Sequence, residues 1–497
     1  MKFSININTF VFLYINLVFF NMAHKNVFNK DSKVIKSKMK NSKRKISNIY
    51  FITQNKKINN KLTLRKNRKS NYLNQNTNYE VKENINLDID QNINNNEAFY
   101  KKENVLCNKK MKLILQVLNR TKWFDFKFFS PAKINLFLRL KEKKDGYNEI
   151  STLMHSINLG DDLFVTILNK ENQKKLRNLL HQCSSGDFLT IKKSKKCKIK
   201  HKNTYTKKEK DLYYNNYPLN DDNIIIKILK KYREELNIND DIKFLVHANK
   251  RIPIFGGLGG GSSDGATIFY FLEKYFYKYL KLNTLKSDFL KKIGSDISFF
   301  DSSGFAYCTG KGNDIIDLKN VFSDIIKDRI YLFQFNEGLS SKLVYENVDY
   351  NKIIQYNPVD LLENIINSNN NITEIIKEKE KKYMKSFVKI ESKDLHKIFI
   401  NDLEHSAFFL AKKLKEIKKI LVDQNIFQVV TMSGSGSTLF AIPKNNINLD
   451  LEKIQIKNLI EHIQEKLNVK IKIYLCNILR KNEKIWYKPK KIAEVIK

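Results

Sequence analysis

The sequence predicts an α/β fold of two domains, on three observations. Short runs of aromatic and β-branched residues alternate with stretches whose apolar residues recur at helical spacing. A glycine run, GGLGGGSS at 256–263, stands between one such strand and one such helix. A second Gly/Ser turn, SGSGS at 433–437, separates two strand-like runs far downstream. At 497 residues, 42% of them hydrophobic, the chain is long enough for two cores.

The first element is a leader. FVFLYINLVFF (10–20) is too short to span a bilayer but has the length of a signal-peptide core, with Lys2 as a weak basic flank. From 24 to 79 the only acid is Asp31, while Lys and Arg recur throughout. We therefore expect a signal peptide at 1–22 and a basic, transit-like disordered leader at 23–120. Together they point to a plastid-type organelle of the apicoplast kind, reached through the secretory route. A signal anchor with a basic tail is the alternative.

Charge and cysteine content bound the rest. Lys and Arg number 90 against 52 Asp and Glu, a formal charge of +38. Such a balance suits nucleic acid, membrane surfaces or anionic small molecules. Lys, Asn and Ile are over-used in every segment rather than gathered on one element. The expectation is accordingly no nucleic-acid partner and no membrane contact in the mature form. Five cysteines without a CxxC pair give neither a disulfide framework nor a zinc site.

Order is expected from near Trp123, in a first domain at 121–325. FDFKFFSPAKINLFLRL (124–140) reads as two strands broken at Ser130-Pro131, DGY (145–147) as a turn, and LFVTIL (163–168) as a strand. Residues 169–219 read as a surface insertion. A helix follows at 223–236, with Asp222 as its candidate cap. IKFLVHANKRIPI (242–254) reads as a strand, and ATIFYFLEKYFYKYL (266–280) as a buried helix after the glycine run. The second domain, 326–497, would hold strands at 330–335, 426–432, 438–442 and 470–476, with an insertion at about 360–395.

Glycines between a strand and a helix let backbone amides converge on an anion. The run is not a Walker loop: Gly256 and Gly261 have the spacing, but Ser262 stands where the lysine belongs. The dinucleotide pattern also fails, because Ser262 takes the place of its third glycine. A phosphate cradle without its own cation remains.

PIFGGLGGGSSDGAT (253–267) resembles the central motif of the GHMP kinases. Its three glycines before the double serine resemble the branch that phosphorylates 4-diphosphocytidyl-2-C-methyl-D-erythritol. SPAKINLFL (130–138), DGYNEISTL (145–153), DDNIIIKI (221–228), GSDISFF (294–300), NDLE (401–404) and MSGSGS (432–437) follow that branch's order. The resemblance implies an N-terminal domain of the ribosomal-protein-S5-domain-2-like kind and a ferredoxin-like α/β sandwich, with the site in the cleft between them. It implies ATP and Mg²⁺ as cofactors and a small-molecule alcohol as acceptor, in a monomer or homodimer. Mevalonate or homoserine kinases of the same family are the first rival. A basic nucleic-acid-binding protein on a degenerate kinase fold is the second.

Site residues follow from the same resemblance. Pro253, Gly256, Gly257, Leu258, Gly259, Gly260, Gly261, Ser262 and Ser263 would hold the triphosphate. Asn223 and Lys250 would line the adenine pocket, and Ser262 or Ser263 would touch Mg²⁺. Lys133 and Asn135 alternate with Ile134 and Leu136, so they share one strand face. From pattern alone Lys133 is a solvated strand lysine; the resemblance puts it beside the reacting hydroxyl. Asp296 reads equally as a helix cap and as the base, and the resemblance makes it the base. Tyr147 and Tyr345 would stack on cytosine, with Ser341 and Asn135 touching the acceptor. Asn148 stands where the family has a histidine, and Gly265 where it has alanine.

Overall fold

The computed structural model describes residues 109–120, 124–144, 146–193, 217–238, 241–277, 288–326, 329–335, 338–366, 370–381, 388, 394–444, 448–481 and 485–496. All of them fall within one compact unit, Asn86–Lys497. The expected signal peptide, most of the leader, most of the lysine-rich run at 192–202 and Asp145 of the DGY turn lie outside the described residues.

Two long strands, β1 (Phe126–Lys144) and β2 (Tyr147–Leu168), form an antiparallel hairpin. With β3 (Phe188–Lys193), β4 (Lys243–Lys250), β5 (Phe305–Thr309) and β6 (Asp314–Asp317) they make a six-stranded sheet, ordered β3-β4-β2-β5-β6 with β1 against β2. The sequence reading broke β1 at Ser130-Pro131. The strand runs through instead, because the register shifts between Pro131 and Ala132, where proline's missing N–H leaves no regular ladder bond unmade.

The second sheet holds β7 (Ile330–Phe335), β8 (Phe427–Met432), β9 (Leu439–Pro443), β10 (Ile471–Cys476) and β11 (Glu494–Ile496), all antiparallel in the order β11-β10-β7-β9-β8. Both of its faces are covered. Ile330 and Leu332 join one core cluster; Tyr331 and Phe333 join another. That is why IYLFQF reads as an unbroken apolar run rather than an alternating one.

The helices in chain order are α1 (Lys109–Val117), α2 (Lys170–Arg177), α3 (Ile224–Glu235), α4 (Gly260–Tyr275), α5 (Ile297–Asp301), α6 (Ser341–Glu346), α7 (Pro358–Ile365), α8 (Asn370–Glu380), α9 (Leu395–Ile398), α10 (Glu404–Leu410), α11 (Lys412–Asp423) and α12 (Leu449–Leu467). None among the described residues is long and apolar enough to cross a membrane. Four expectations change. Order begins before Trp123: Ile114 of α1 and Leu118 pack on Leu168, Leu176, Phe188 and Leu245. The 169–219 insertion carries α2 and β3, and β3 pairs parallel with β4. Asn223, not Asp222, caps α3, accepting from Ile225 N at 3.0 Å. The second insertion reaches the interior. Glu380, at the end of α8, is fully buried, bridges Lys141 Nζ at 2.7 Å and accepts from Ser151 and Tyr307.

α3 and α4 pack across one face of the first sheet, burying Ile225, Ile228, Phe244, Ile268, Phe271 and Leu272. Gly265 allows this approach: a Cβ there would lie 2.5 Å from Ile224 Cγ2. Its absence is a packing requirement of this helix pair. α4 is thereby fixed with its N-terminus at the glycine run.

Candidate active site

Gly259 caps α4 in the left-handed conformation, φ 68°, and no side chain bonds the helix's first amides. Those N–H groups have no partner within the helix, so the helix opens on an anion-binding position. The loop before it is held from both sides. Leu258 O accepts from Lys133 N at 3.0 Å on β1. On the other side stands the second Gly/Ser turn: Ser433 Oγ donates to Gly257 O at 3.1 Å, and Thr438 N lies 3.4 Å from Gly256 O. Gly257, at φ 71°, must be glycine, since a Cβ would sit 2.0 Å from Ser433 O. Pro253 packs behind Gly256, and Gly260 lies against Ile252. Gly261 has open space beyond Ile224.

The two serines part company. Ser263 is fully buried; its Oγ accepts from Ser130 Oγ at 2.9 Å, and Thr267 donates to that same Ser130. Ser262 stays partly exposed on the open side of the helix turn. Of the pair, only Ser262 has a hydroxyl that a ligand reaches.

The strand face carrying Lys133 and Asn135 looks onto this loop, while Ala132, Ile134 and Leu136 enter the core. Lys133 is 4% exposed. Its Nζ donates to Asn135 Oδ1 at 2.6 Å and stands 3.4 Å from Asp296 Oδ2. Asn135 Nδ2 donates in turn to Thr152 Oγ1 at 2.9 Å, which fixes the amide's orientation. Asp296 precedes α5 but makes no capping bond. Its carboxylate is turned to Lys133 instead, which removes the helix-cap reading.

Three further elements carry the residues expected to meet the acceptor. Tyr345 on α6 is half-buried, and burial, then the charge of Asp296, push its hydroxyl pKa up. Ser341 shares a 2.6 Å hydroxyl contact with Ser435 of the second turn. Tyr147 is 54% exposed at the hairpin end, and Lys311 Nζ lies 3.2 Å from its ring centroid. Lys311 belongs to a turn between β5 and β6 whose Gly310 and Gly312 both have positive φ. A Cβ on Gly312 would be 3.7 Å from Asp296 Oδ1, so this turn borders that carboxylate. Asn148 accepts from Tyr350 Oη at 2.5 Å.

Two expected residues sit inside rather than at the surface. Lys250 bonds Asp264 at 2.6 Å and Asp161 at 2.5 Å, and is 3% exposed. Burial works against its charge, but the two carboxylates outweigh burial and hold its pKa well above the ordinary lysine value. Asn223 spends its side chain on Ile225 N and Pro218 O. Both still border the ring of Tyr217: Lys250 Nζ is 5.6 Å from its centroid, and Asn223 bonds its hydroxyl. Sequence reasoning missed Thr152, Lys311, Tyr350 and the supports of the second turn, where Asn401 Nδ2 donates to Met432 O and Gly434 O at 2.7 Å each. The G-K-G spacing at 310–312 was the one local signal for Lys311.

Comparison with known proteins places this arrangement. The profile described as "GHMP kinases N terminal domain" matches residues 223–305, from the cap of α3 to the start of β5. The chain is 30% identical to the 4-diphosphocytidyl-2-C-methyl-D-erythritol kinase of Protochlamydia amoebophila over 67% of this chain and 89% of that protein. It belongs to this family of GHMP kinases. The chloroplastic 4-diphosphocytidyl-2-C-methyl-D-erythritol kinase of Arabidopsis thaliana is 31% identical over 64% of this chain and 67% of the plant protein. A crystal structure of a 4-(cytidine 5'-diphospho)-2C-methyl-D-erythritol kinase covers 71% of this chain and 99% of its own, at 19% identity and a TM-score of 0.43. The matched stretch, 223–305, contains the whole glycine run and Asp296.

Proposed function

We propose that this chain transfers the γ-phosphoryl group of ATP to the 2-hydroxyl of 4-diphosphocytidyl-2-C-methyl-D-erythritol, a step of non-mevalonate isoprenoid synthesis. The observation that carries the reading is the Lys133–Asp296 pair, 3.4 Å apart on the face that meets the glycine loop. The names of the family members agree with it.

Each residue has a physical task. The open first turn of α4 and the backbone of 256–261 orient the triphosphate. Asp296 accepts the acceptor's hydroxyl proton as the oxygen attacks the γ-phosphorus and ADP leaves. Lys133 sets a full positive charge where the phosphoryl group passes, and Asn135, braced by Thr152, holds Lys133 in place. Tyr147 and Tyr345 would flank the cytosine ring, and Lys311 brings a cation to the side that receives the acceptor's diphosphate.

The donors suit Mg²⁺ held chiefly by phosphate. Among the described residues no three His, Cys, Asp or Glu converge as a metal cage, and Ser262 offers a hard hydroxyl oxygen beside the loop. When bound, the ion neutralises charge on the transferring phosphate. Lys250 and Asn223 would shape the adenine pocket through Tyr217 rather than by presenting free polar groups. We place the first domain at 109 to about 325 and the second from about 329. The leader precedes residue 109, and a plastid-type location fits the chloroplastic relatives.

The test is ADP release by the full chain with a panel of acceptors: 4-diphosphocytidyl-2-C-methyl-D-erythritol, mevalonate and homoserine. Turnover with the first alone is expected. Asp296→Asn should lower turnover by about 10²–10⁴ while ATP binding by calorimetry persists. Near-normal turnover of that variant would sink the assignment of the base.

A further inference from the structure

Phe255, the residue before the glycine run, has its backbone in the left-handed region, φ 56°. The four other non-glycine residues with positive φ among those described are asparagines, which tolerate that region. A phenylalanine there is strained. Burial does not offset the strain, since the residue is 51% exposed. Glycine would relieve it, and the chain uses glycine at the next two positions. What the left-handed turn achieves is the direction of the side chain. A Cβ on Gly338 would lie 2.9 Å from Phe255 Cβ and 3.7 Å from its Cγ and Cδ2. The phenylalanine thus lies against the backbone of Gly338 and leaves room for glycine alone.

Gly338 begins a short segment that meets both glycine turns. Leu339 packs on Gly436, where a Cβ would lie 3.3 Å from Leu339 Cδ1. Ser340 precedes α6, and Ser341 on α6 meets Ser435 at 2.6 Å. The same helix carries Tyr345. On its own side, Phe255 opens the arm of the glycine loop that is least firmly bonded. Gly257 O and Leu258 O accept bonds of 3.1 and 3.0 Å, whereas Gly256 O meets Thr438 N at 3.4 Å. The contact with Gly338 adds restraint where the hydrogen bonding is weakest. We propose that Phe255 is a positioning residue that couples the two substrate sites. Held across Gly338, it makes the triphosphate loop and the acceptor helix α6 shift as one. The substrate that arrives first sets both, and the second binds more tightly to a side already ordered. This inference rests on the function proposed above and adds a linkage between its two sites.

The experiment is calorimetric binding of AMP-PNP, a non-hydrolysable ATP analogue, to the full chain with and without saturating 4-diphosphocytidyl-2-C-methyl-D-erythritol. The wild type should bind AMP-PNP at least about fivefold more tightly when the acceptor is present. Phe255→Gly removes the ring and the strain together. The gain should then fall below about twofold, while affinity for AMP-PNP alone changes little and the melting temperature stays level or rises. A merely structural contact would instead lower the melting temperature when removed. Phe255→Tyr keeps the ring and should keep the coupling. Gly338→Ala should weaken the coupling in the wild type and change nothing further in the Phe255→Gly chain. A Phe255→Gly chain that keeps the wild-type gain overturns the proposal, as does one that melts several degrees lower and binds both ligands equally worse. A wild type that turns over the acceptor yet shows no gain refutes this inference alone. One that does not turn over the acceptor refutes the proposed function with it.

Discussion

Gly257→Ala is the sharpest probe of the way the two glycine turns meet. Gly257 has φ 71°, and alanine in that left-handed region costs about 1–2 kcal/mol. The larger effect is contact. The added Cβ would lie 2.0 Å from Ser433 O and 3.0 Å from Gly436 N. Ordinary contact needs about 3.5 Å, so the turns must part by roughly 1.5 Å. Ser433 cannot simply yield, because its oxygen receives Gly436 N and its hydroxyl spans to Gly257 O. A shift of about 1 Å at a phosphate site costs about a hundredfold in rate. The assay is kcat/KM for ATP beside thermal denaturation. A loss near a hundredfold is expected, with melting lowered by only a few degrees, since neither Gly257 nor Ser433 puts an apolar side chain into the core clusters. Activity within about twofold of wild type would show that the turns are not in contact and that Gly257 has some other purpose.

Three further outcomes follow from other contacts. Ser262→Ala should raise the Mg²⁺ concentration needed for half-maximal turnover, while Ser263→Ala should instead lower stability by about 1 kcal/mol, because its hydroxyl is buried against Ser130; a Mg²⁺ effect confined to Ser263→Ala would reverse the pair. Glu380→Ala removes the buried carboxylate that pairs with Lys141 and accepts from Ser151 and Tyr307, and urea unfolding should report a loss of about 3–5 kcal/mol; a loss below about 1 kcal/mol would mean that α8 is not seated there. His155 is fully buried, and burial drives its pKa down to about 3. The unfolded chain therefore binds a proton that the folded chain refuses between about pH 6.5 and 3. Stability falls as pH drops through that window, by about 2 kcal/mol at pH 5. His155→Gln should show a shallower pH slope in denaturant unfolding, and an unchanged slope would refute the account.

Local chemistry was legible and distant packing was not. Lys133 and Asn135 could be put on one face because a strand alternates sides, and that needs only neighbours in sequence. The strands of the second sheet could be read from apolar runs for the same reason. Lys250 could not be placed: its partners Asp161 and Asp264 lie 89 and 14 residues away, on β2 and α4, and only the fold brings both carboxylates to the lysine. Likewise the 360–395 segment is rich in Lys, Glu and Asn and reads as surface. Only the fold shows that one of its glutamates reaches Ser151 and Tyr307 beneath the hairpin. Asp296 lies between these cases. Sequence left cap and base open; the structure shows no capping bond and a lysine 3.4 Å away, and the role of base stays a proposal.

The site's cation stands outside the glycine loop, and the geometry gives a reason. Two turns must approach each other closely enough for Ser433 to bond Gly257 O, and a lysine within either turn would hold them apart. Lys133 enters from β1, a third direction, and reaches the junction from below. Gly434 makes room for it, since a Cβ there would lie 3.3 Å from Lys133 Nζ and 3.4 Å from Asn135 Oδ1. Gly259 does so from the other turn, at 3.0 Å from Lys133 Cγ. Ser433 completes the junction, with its Oγ 3.4 Å from Asn135 N. The lysine is therefore confined by the first sheet, by the helix start and by the second sheet's turn at once. Both members of the 3.4 Å pair, Lys133 and Asp296, lie ahead of the second sheet in the chain, and what the second sheet adds is the turn that walls the lysine in.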